Sequence, residues 1–578
     1  MDELAEWETK TEFFVGAEKG SSLQQPSAQK FSELRAFHST LEMIVIEDVP
    51  QGSVRVRALL ASGESMEATR DGQWKFTNLF AGTYAVQAID DSGRLLGEII
   101  TTVGSNPGER PVHGFATSFT DDDIPSVLEW HRSLRSTVVQ VYDWMASYTE
   151  PLGPSNGWND PSNRPVSLNA LRSLANGLQV QGSVAHAYVP IYAVGHGFAN
   201  VHPEMLMYED NGVAIRFMDQ IMLANPGNEA WQRHFVESYG SAAEAIGFNG
   251  FHVDTYGYPR VAFDADSNAI DMRSAYESFL GFARSAWPDT LISFNQVNGV
   301  PSGANLPPGP RFRYCEIWPP NDQWRHFEGL LDRSSGVAGR RGPNEERTAL
   351  LRGSIACYPP VWGVDSDSGS VEGLARENSL RTGVLTEAIA TQLGASALIY
   401  GDKGAALCDP YYPKHAVLSA DERDEVIAWR QFSLHCRDLF LDGEDTSWYE
   451  IDDENGAVGI DADVPVSPEP VGGSVFARVV HADAVVTVGV VDLTGSVNGK
   501  WSEPTAHGTV SSVTIRVLVD HPDAWTPYAA VLGAKDEHFA VIESVIVPHR
   551  QGRALEVTLP LVQGWSVLRL SRNGHNNE

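Results

Sequence analysis

Two carboxylates, Asp254 and Glu316, lie toward the ends of short apolar runs, GFHVDT and YCEIW, that read as buried strands. An ionised group is costly to bury without purpose, so such positions are candidates for chemistry. Asp143 closes a third run, TVVQVYD, and Tyr142, Trp144, Tyr188, Tyr256, Asn295, Trp318 and Asp402 lie in or beside similar segments. Paired carboxylates among aromatic and amide side chains suit cleavage of a glycosidic bond. One captures or stabilises the oxocarbenium-like centre, and the other protonates the departing oxygen. Tyr and Trp faces offer platforms to sugar rings, and Asp and Asn bind hydroxyls.

Other chemistries are excluded by what is missing. Lysine is absent between Lys75 and Lys403, so a centre in that span has no amine for a Schiff base. No Walker A loop, HExxH or HxH occurs, and no glycine-rich βα turn marks a dinucleotide site. The sole GxSxG, GPSNG around Ser155, lies in a loop-like stretch without the strand–turn–helix context of a nucleophile elbow. Cys315, Cys357, Cys408 and Cys436 are far apart with no CxxC, which reads as free thiols rather than a zinc site. No metal and no cofactor is expected.

The elements that must position these groups follow from the pattern. Between 111 and 432, candidate strands at 114–119, 137–143, 184–192, 250–255, 291–297, 314–318, 354–359 and 396–401 alternate with helical stretches. Eight such strands predict a (β/α)8 TIM barrel, in which catalytic groups stand at the C-terminal strand ends. A doubly wound sheet is the alternative. The strand ends carry no histidine cluster. Residues 1–40 read as a polar leader and 41–110 as an N-terminal immunoglobulin-like β-sandwich. Residues 433–578, after a linking helix near 421–440, read as a C-terminal antiparallel β-sandwich.

The chain has 578 residues and a formal charge of −33, which disfavours nucleic acid and anionic membrane surfaces as partners. The opening MDELAEWETKTEFFVGAEKG has neither a basic nor an apolar signal region, and no run is long enough to span a bilayer. A soluble, cytoplasmic protein is the expectation, with its oligomeric state open.

Several ordered blocks carry a family resemblance: VVQVYDWMASYTEPLG (138–153), GFNGFHVDTYG (247–257), SFNQVNG (293–299), RYCEIWP (313–319) and ALIYGDKGAALCDPYYP (397–413). With HGFATSF (113–119) and LANPGNEAWQRHF (223–235), they resemble the family 66 glycoside hydrolases, the dextranases and cycloisomaltooligosaccharide glucanotransferases. The resemblance implies an α-1,6-glucan or isomaltooligosaccharide substrate and a retaining double displacement. It makes Asp254 the nucleophile and Glu316 the general acid/base, with Asp143 orienting the glucosyl unit. Ile317 and Trp318 would raise the Glu316 pKa, and Asn295 and Tyr256 would keep Asp254 ionised. The block ASYTEPLG departs from the family pattern, so subsite preference does not carry over. The short span between Trp318 and Ala397 leaves little room for a carbohydrate-binding insertion, which favours hydrolysis over cyclising transfer.

The remaining candidates read as structure. Asp264, Asp266 and Asn268 start like a calcium loop but lack its glycine and distal Glu. His196 and His202 read as loop or sugar-binding residues rather than ligands. The stretch 364–373 reads as a surface loop, with a lid over the mouth as the alternative. Tyr411 and Tyr412 could wall the pocket or simply pack.

Overall fold

In the computed structural model, residues 29–40, 42–217, 220–256, 261–335, 353–357, 374–401, 403–407, 415–441, 443–451, 456–482, 484–534 and 539–573 are described. Asp402, Tyr358, Cys408, Tyr411, Tyr412 and the 364–373 segment lie outside them.

Eight parallel strands form one nearly closed barrel, running in chain order around the sheet. They are His113–Ala116, Val138–Val141, Val184–Pro190, Gly250–Asp254, Leu291–Asn295, Arg311–Glu316, Ser354–Ala356 and Ser396–Leu398. The first and eighth lie side by side where the sheet ends meet. All eight expected strands are present. The sixth both begins and ends earlier than the apolar run suggests, and Glu316 is its last residue.

Helices follow most strands for local reasons. Leu168–Val180 starts where Ser167 accepts from the Ala170 N–H at 3.1 Å, and buries Leu171, Leu174 and Leu178 at helical spacing. Glu229–Ile246 is capped by Asn228 and stopped by Gly247 at φ +96. The fifth strand departs from the repeat. Only a 3-10 turn, Val297–Gly299, lies between it and the sixth strand. Gly299, Gly303 and Gly309 with Pro301, Pro307, Pro308 and Pro310 explain this, since proline lacks the N–H a helix needs.

Two expected boundaries are corrected. Residues 29–39 are not leader: Gln29–Lys30 and Phe37–Ser39 are strands, and Phe31, Leu34, Ala36 and His38 are buried. The helix near 421–440 is no linker but Ala420–Leu441, which packs on helix Leu374–Gln392 as the barrel's last, so the barrel runs past 432.

Before the barrel, a five-stranded and a four-stranded sheet share a core built on Ile44, Ile46, Trp74, Val56 and Val86. After it, a seven-stranded and a four-stranded sheet do the same through Val479, Val488, Ile515 and Val557. The barrel is joined to both. Asp438 of the last helix accepts from the Thr83 N–H at 2.5 Å and from Arg110 at 3.3 Å. Trp429 of the same helix stacks on Trp565 of the C-terminal sheet with centroids 6.0 Å apart, and Phe432 meets Trp565 edge-on. These side chains belong to one continuous core. Among the described residues, no helix is long and apolar enough to cross a membrane.

Candidate active site

The mouth of the barrel holds an open cavity of about 220 Å³. Asp254, the last residue of the fourth strand, and Glu316, the last of the sixth, both line it. Between them stands Asn295, the last residue of the fifth. Its amide Nδ2 donates to Asp254 Oδ1 at 2.7 Å and to Glu316 Oε2 at 3.0 Å. Its Oδ1 accepts the Glu316 backbone N–H at 3.3 Å, which fixes the amide's orientation.

Asp254 is buried and accepts a second strong hydrogen bond, from the Tyr188 hydroxyl at 2.7 Å, with Tyr192 at 3.5 Å. Burial, followed by the neighbouring Glu316 charge, raises the Asp254 carboxyl to about 7; Tyr188 and Asn295 pull it down. Two carboxylates this close titrate as a pair.

The other expected residues divide. Tyr142, Asp143, Tyr188, Tyr256, Asn295 and Trp318 line the cavity. Tyr142 packs on Tyr188 with centroids 4.4 Å apart, and Tyr256 packs on Phe217 at 4.7 Å. Tyr256 lines the wall, and Asp254 takes phenol hydrogen bonds from Tyr188 and, at longer range, from Tyr192. The Trp318 N–H is held by Asn298 Oδ1 at 2.8 Å. Trp144 is corrected: it is buried against Tyr239 and Phe248, off the cavity, and donates to the Tyr188 carbonyl at 3.0 Å. It braces the wall rather than forming it. His196 and His202 lie off the cavity, and His202 faces Glu204 at 3.1 Å. Asp264 accepts from the Asp266 and Asn268 N–H groups in an exposed turn, and Ser155 donates to the Gly157 carbonyl.

Asp143 sits at φ +46, just past the second strand, and Arg164 donates to its Oδ2 at 2.8 Å. The same guanidinium holds Asp160 at 2.7 Å. Burial outweighs this cation and raises Asp143 to about 7. Arg164 is not among the residues expected from the sequence, because nothing in the polar 154–165 loop announces that it folds back on the mouth.

A layer below the strand ends, the barrel does hold a histidine cluster. His113, His186 and His252, from the first, third and fourth strands, are buried, and one ring nitrogen from each lies within 4.8 Å of the others. His186 and His252 precede Tyr188 and Asp254 by two residues. Strand alternation therefore places them on the same inward face, a signal available from the sequence.

A barrel with a carboxylate pair at its C-terminal mouth is the architecture of a glycoside hydrolase. The chain belongs to glycosyl hydrolase family 66, whose model matches residues 40–567. It is 24% identical over 285 residues to a cycloisomaltooligosaccharide glucanotransferase of Niallia circulans, covering 43% of this chain and 29% of that protein. It is also 24% identical over 202 residues to a dextranase of Streptococcus salivarius, covering 30% of this chain and 24% of that protein. The alignments thus span under a third of either relative. In fold it is similar to a Paenibacillus sp. cycloisomaltooligosaccharide glucanotransferase solved with cycloisomaltoheptaose. The TM-score is 0.74 at 15% identity, over 93% of this chain and 98% of that one.

Proposed function

We propose that this enzyme hydrolyses α-1,6-glucosidic linkages of dextran or isomaltooligosaccharides with retention. Asp254 is the nucleophile and Glu316 the general acid/base. The observation that carries the reading is the Asn295 bridge. One nitrogen reaches both carboxylates at 2.7 and 3.0 Å, so the bonded oxygens are closer than the sum of those distances. That upper bound is compatible with the spacing of about 5–5.5 Å for a retaining pair and is short of the roughly 6.5–9.5 Å that an inverting pair needs for its water.

The pair shares one proton in the active form. The hydroxyls of Tyr188 and Tyr192 donate to Asp254 and favour its anion, while Asn295 serves both carboxylates, so the proton resides on Glu316. An Asp254 oxygen attacks the anomeric carbon while Glu316 protonates the departing glycosidic oxygen, giving a glucosyl ester. Glu316, now anionic, takes a proton from water, which attacks the same carbon and releases Asp254. Asp143 orients the glucosyl unit, and Tyr142, Tyr256 and Trp318 supply ring platforms. The two-sheet units on either side are the immunoglobulin-like and C-terminal β-sandwiches of this architecture.

Product analysis tests the reading: purified protein is incubated with dextran and with a short isomaltooligosaccharide, beside Asp254→Asn. Shorter linear α-1,6 products, absent with the variant, support it. Cyclic or larger products assign transglucosylation by the same pair, which the names of two of the similar proteins favour. No product from either substrate removes α-1,6-glucan.

A further inference from the structure

We propose that His113, His186 and His252 form a binding site for a divalent metal ion of the zinc class, at the floor of the catalytic cavity. The three imidazoles enter the barrel interior from three different strands, with one nitrogen of each within 4.8 Å of the other two. An ion at about 2.0–2.1 Å from each nitrogen draws the three to within about 3.5 Å of one another, so the rings close in on binding.

The hydrogen bonds around the cluster leave nitrogen lone pairs over. His186 Nε2 lies 3.2 Å from the Leu291 carbonyl. A carbonyl only accepts, so Nε2 carries the hydrogen and Nδ1 keeps its lone pair, which has no partner within the protein. His113 Nδ1 meets Ser354 Oγ at 3.2 Å, and its Nε2 likewise has no protein partner. His252 Nδ1 meets Ser293 Oγ at 2.8 Å. Each histidine is thus held by an oxygen on one nitrogen, the arrangement that orients imidazole ligands around a metal. Gln140, paired in register with His186, adds a buried Oε1 without a protein partner.

The surroundings favour an ion over mere packing. A Cβ at Gly250 would collide with the His186 ring, so the fourth strand makes room for that imidazole with a glycine. His252 and Gln140 line the cavity, which provides a route of entry. Asp254 lies two residues beyond His252 on one inward face, about 7 Å along the strand, and offsets the ion's charge. Imidazole donors suit zinc, copper and nickel rather than magnesium or calcium.

The full chain, stripped with a chelator, is titrated with Co²⁺ and then Zn²⁺. The expected result is visible Co²⁺ d–d absorption saturating at about one equivalent, removed by Zn²⁺. His186→Gln abolishes the bands, and Ser293→Ala, which spares all three ligands, weakens binding about 10–100-fold. Circular dichroism confirms that each variant is folded; if His186→Gln is not, Ser293→Ala decides. Absence of saturable binding to the folded wild type overturns the proposal. So does binding unchanged in the folded variants, or binding that follows His202→Ala instead.

Discussion

The Tyr188 hydroxyl donates to Asp254 Oδ2 at 2.7 Å, while Trp144 holds the backbone carbonyl of the same tyrosine. A buried carboxylate is thereby given a donor that cannot drift. Tyr188→Phe removes the donor and keeps the ring. A hydrogen bond to a charged group contributes about 1.5–3 kcal/mol, so the acid limb of kcat/KM should move up by roughly one to two pH units. The pH–rate profile measures this, and an unmoved acid limb counts against Asp254 as the group that must ionise.

Asn295 is the next lever. Asn295→Ala leaves two carboxylates without their common donor, and kcat should fall about 10²–10³-fold with little change in KM. Asn295→Asp adds a third carboxyl and should be worse above neutral pH. Steady-state kinetics of both variants test this, and a loss confined to KM would assign Asn295 to substrate binding.

Asp254 should also lower stability when ionised. Asp254 and Glu316 titrate together, and burial with their mutual repulsion raises the proton they share to about 7, above the unfolded value, so the native pair holds a proton that the unfolded chain releases. Stability therefore falls as pH rises between about 4 and 7, by on the order of 2–4 kcal/mol. Asp254→Asn should be inactive yet melt higher at pH 8, with a flatter dependence of Tm on pH. Thermal unfolding at several pH values reads this directly.

Arg164 joins Asp143 to Asp160. Arg164→Gln withdraws the cation that opposes burial, so the Asp143 pKa rises further and its carboxyl binds a sugar hydroxyl less well. KM should increase about tenfold or more, most at low pH, and stability should drop by roughly 1–3 kcal/mol. Equal loss at all pH values would separate Asp143 protonation from the defect.

The barrel was legible because its strands are buried on both sides and so read as apolar runs ending in polar residues. The carboxylates were legible for the same reason. Trp144 was misplaced because alternation puts it on the face of Tyr142, whereas Asp143 at φ +46 breaks the strand first and turns the indole into the core. Phe31 and Leu34 were lost in polar surroundings, since a single buried side chain per turn leaves no period. The His113, His186 and His252 cluster escaped because the histidines stand below the strand ends, although His186 and His252 share the inward face of Tyr188 and Asp254.

The stack of Trp429 on Trp565 has a consequence for anyone wishing to engineer this enzyme. A chain cut after Leu441 would leave a face of large indole and phenyl rings bare to water, so the catalytic half cannot be excised as a minimal catalyst. In chimeras the heritable piece is the barrel together with its C-terminal sheet. The mouth loop after the sixth strand belongs to that piece too, since Trp501 donates to the Asn321 carbonyl at 2.9 Å and Lys500 pairs with Asp322 at 3.0 Å.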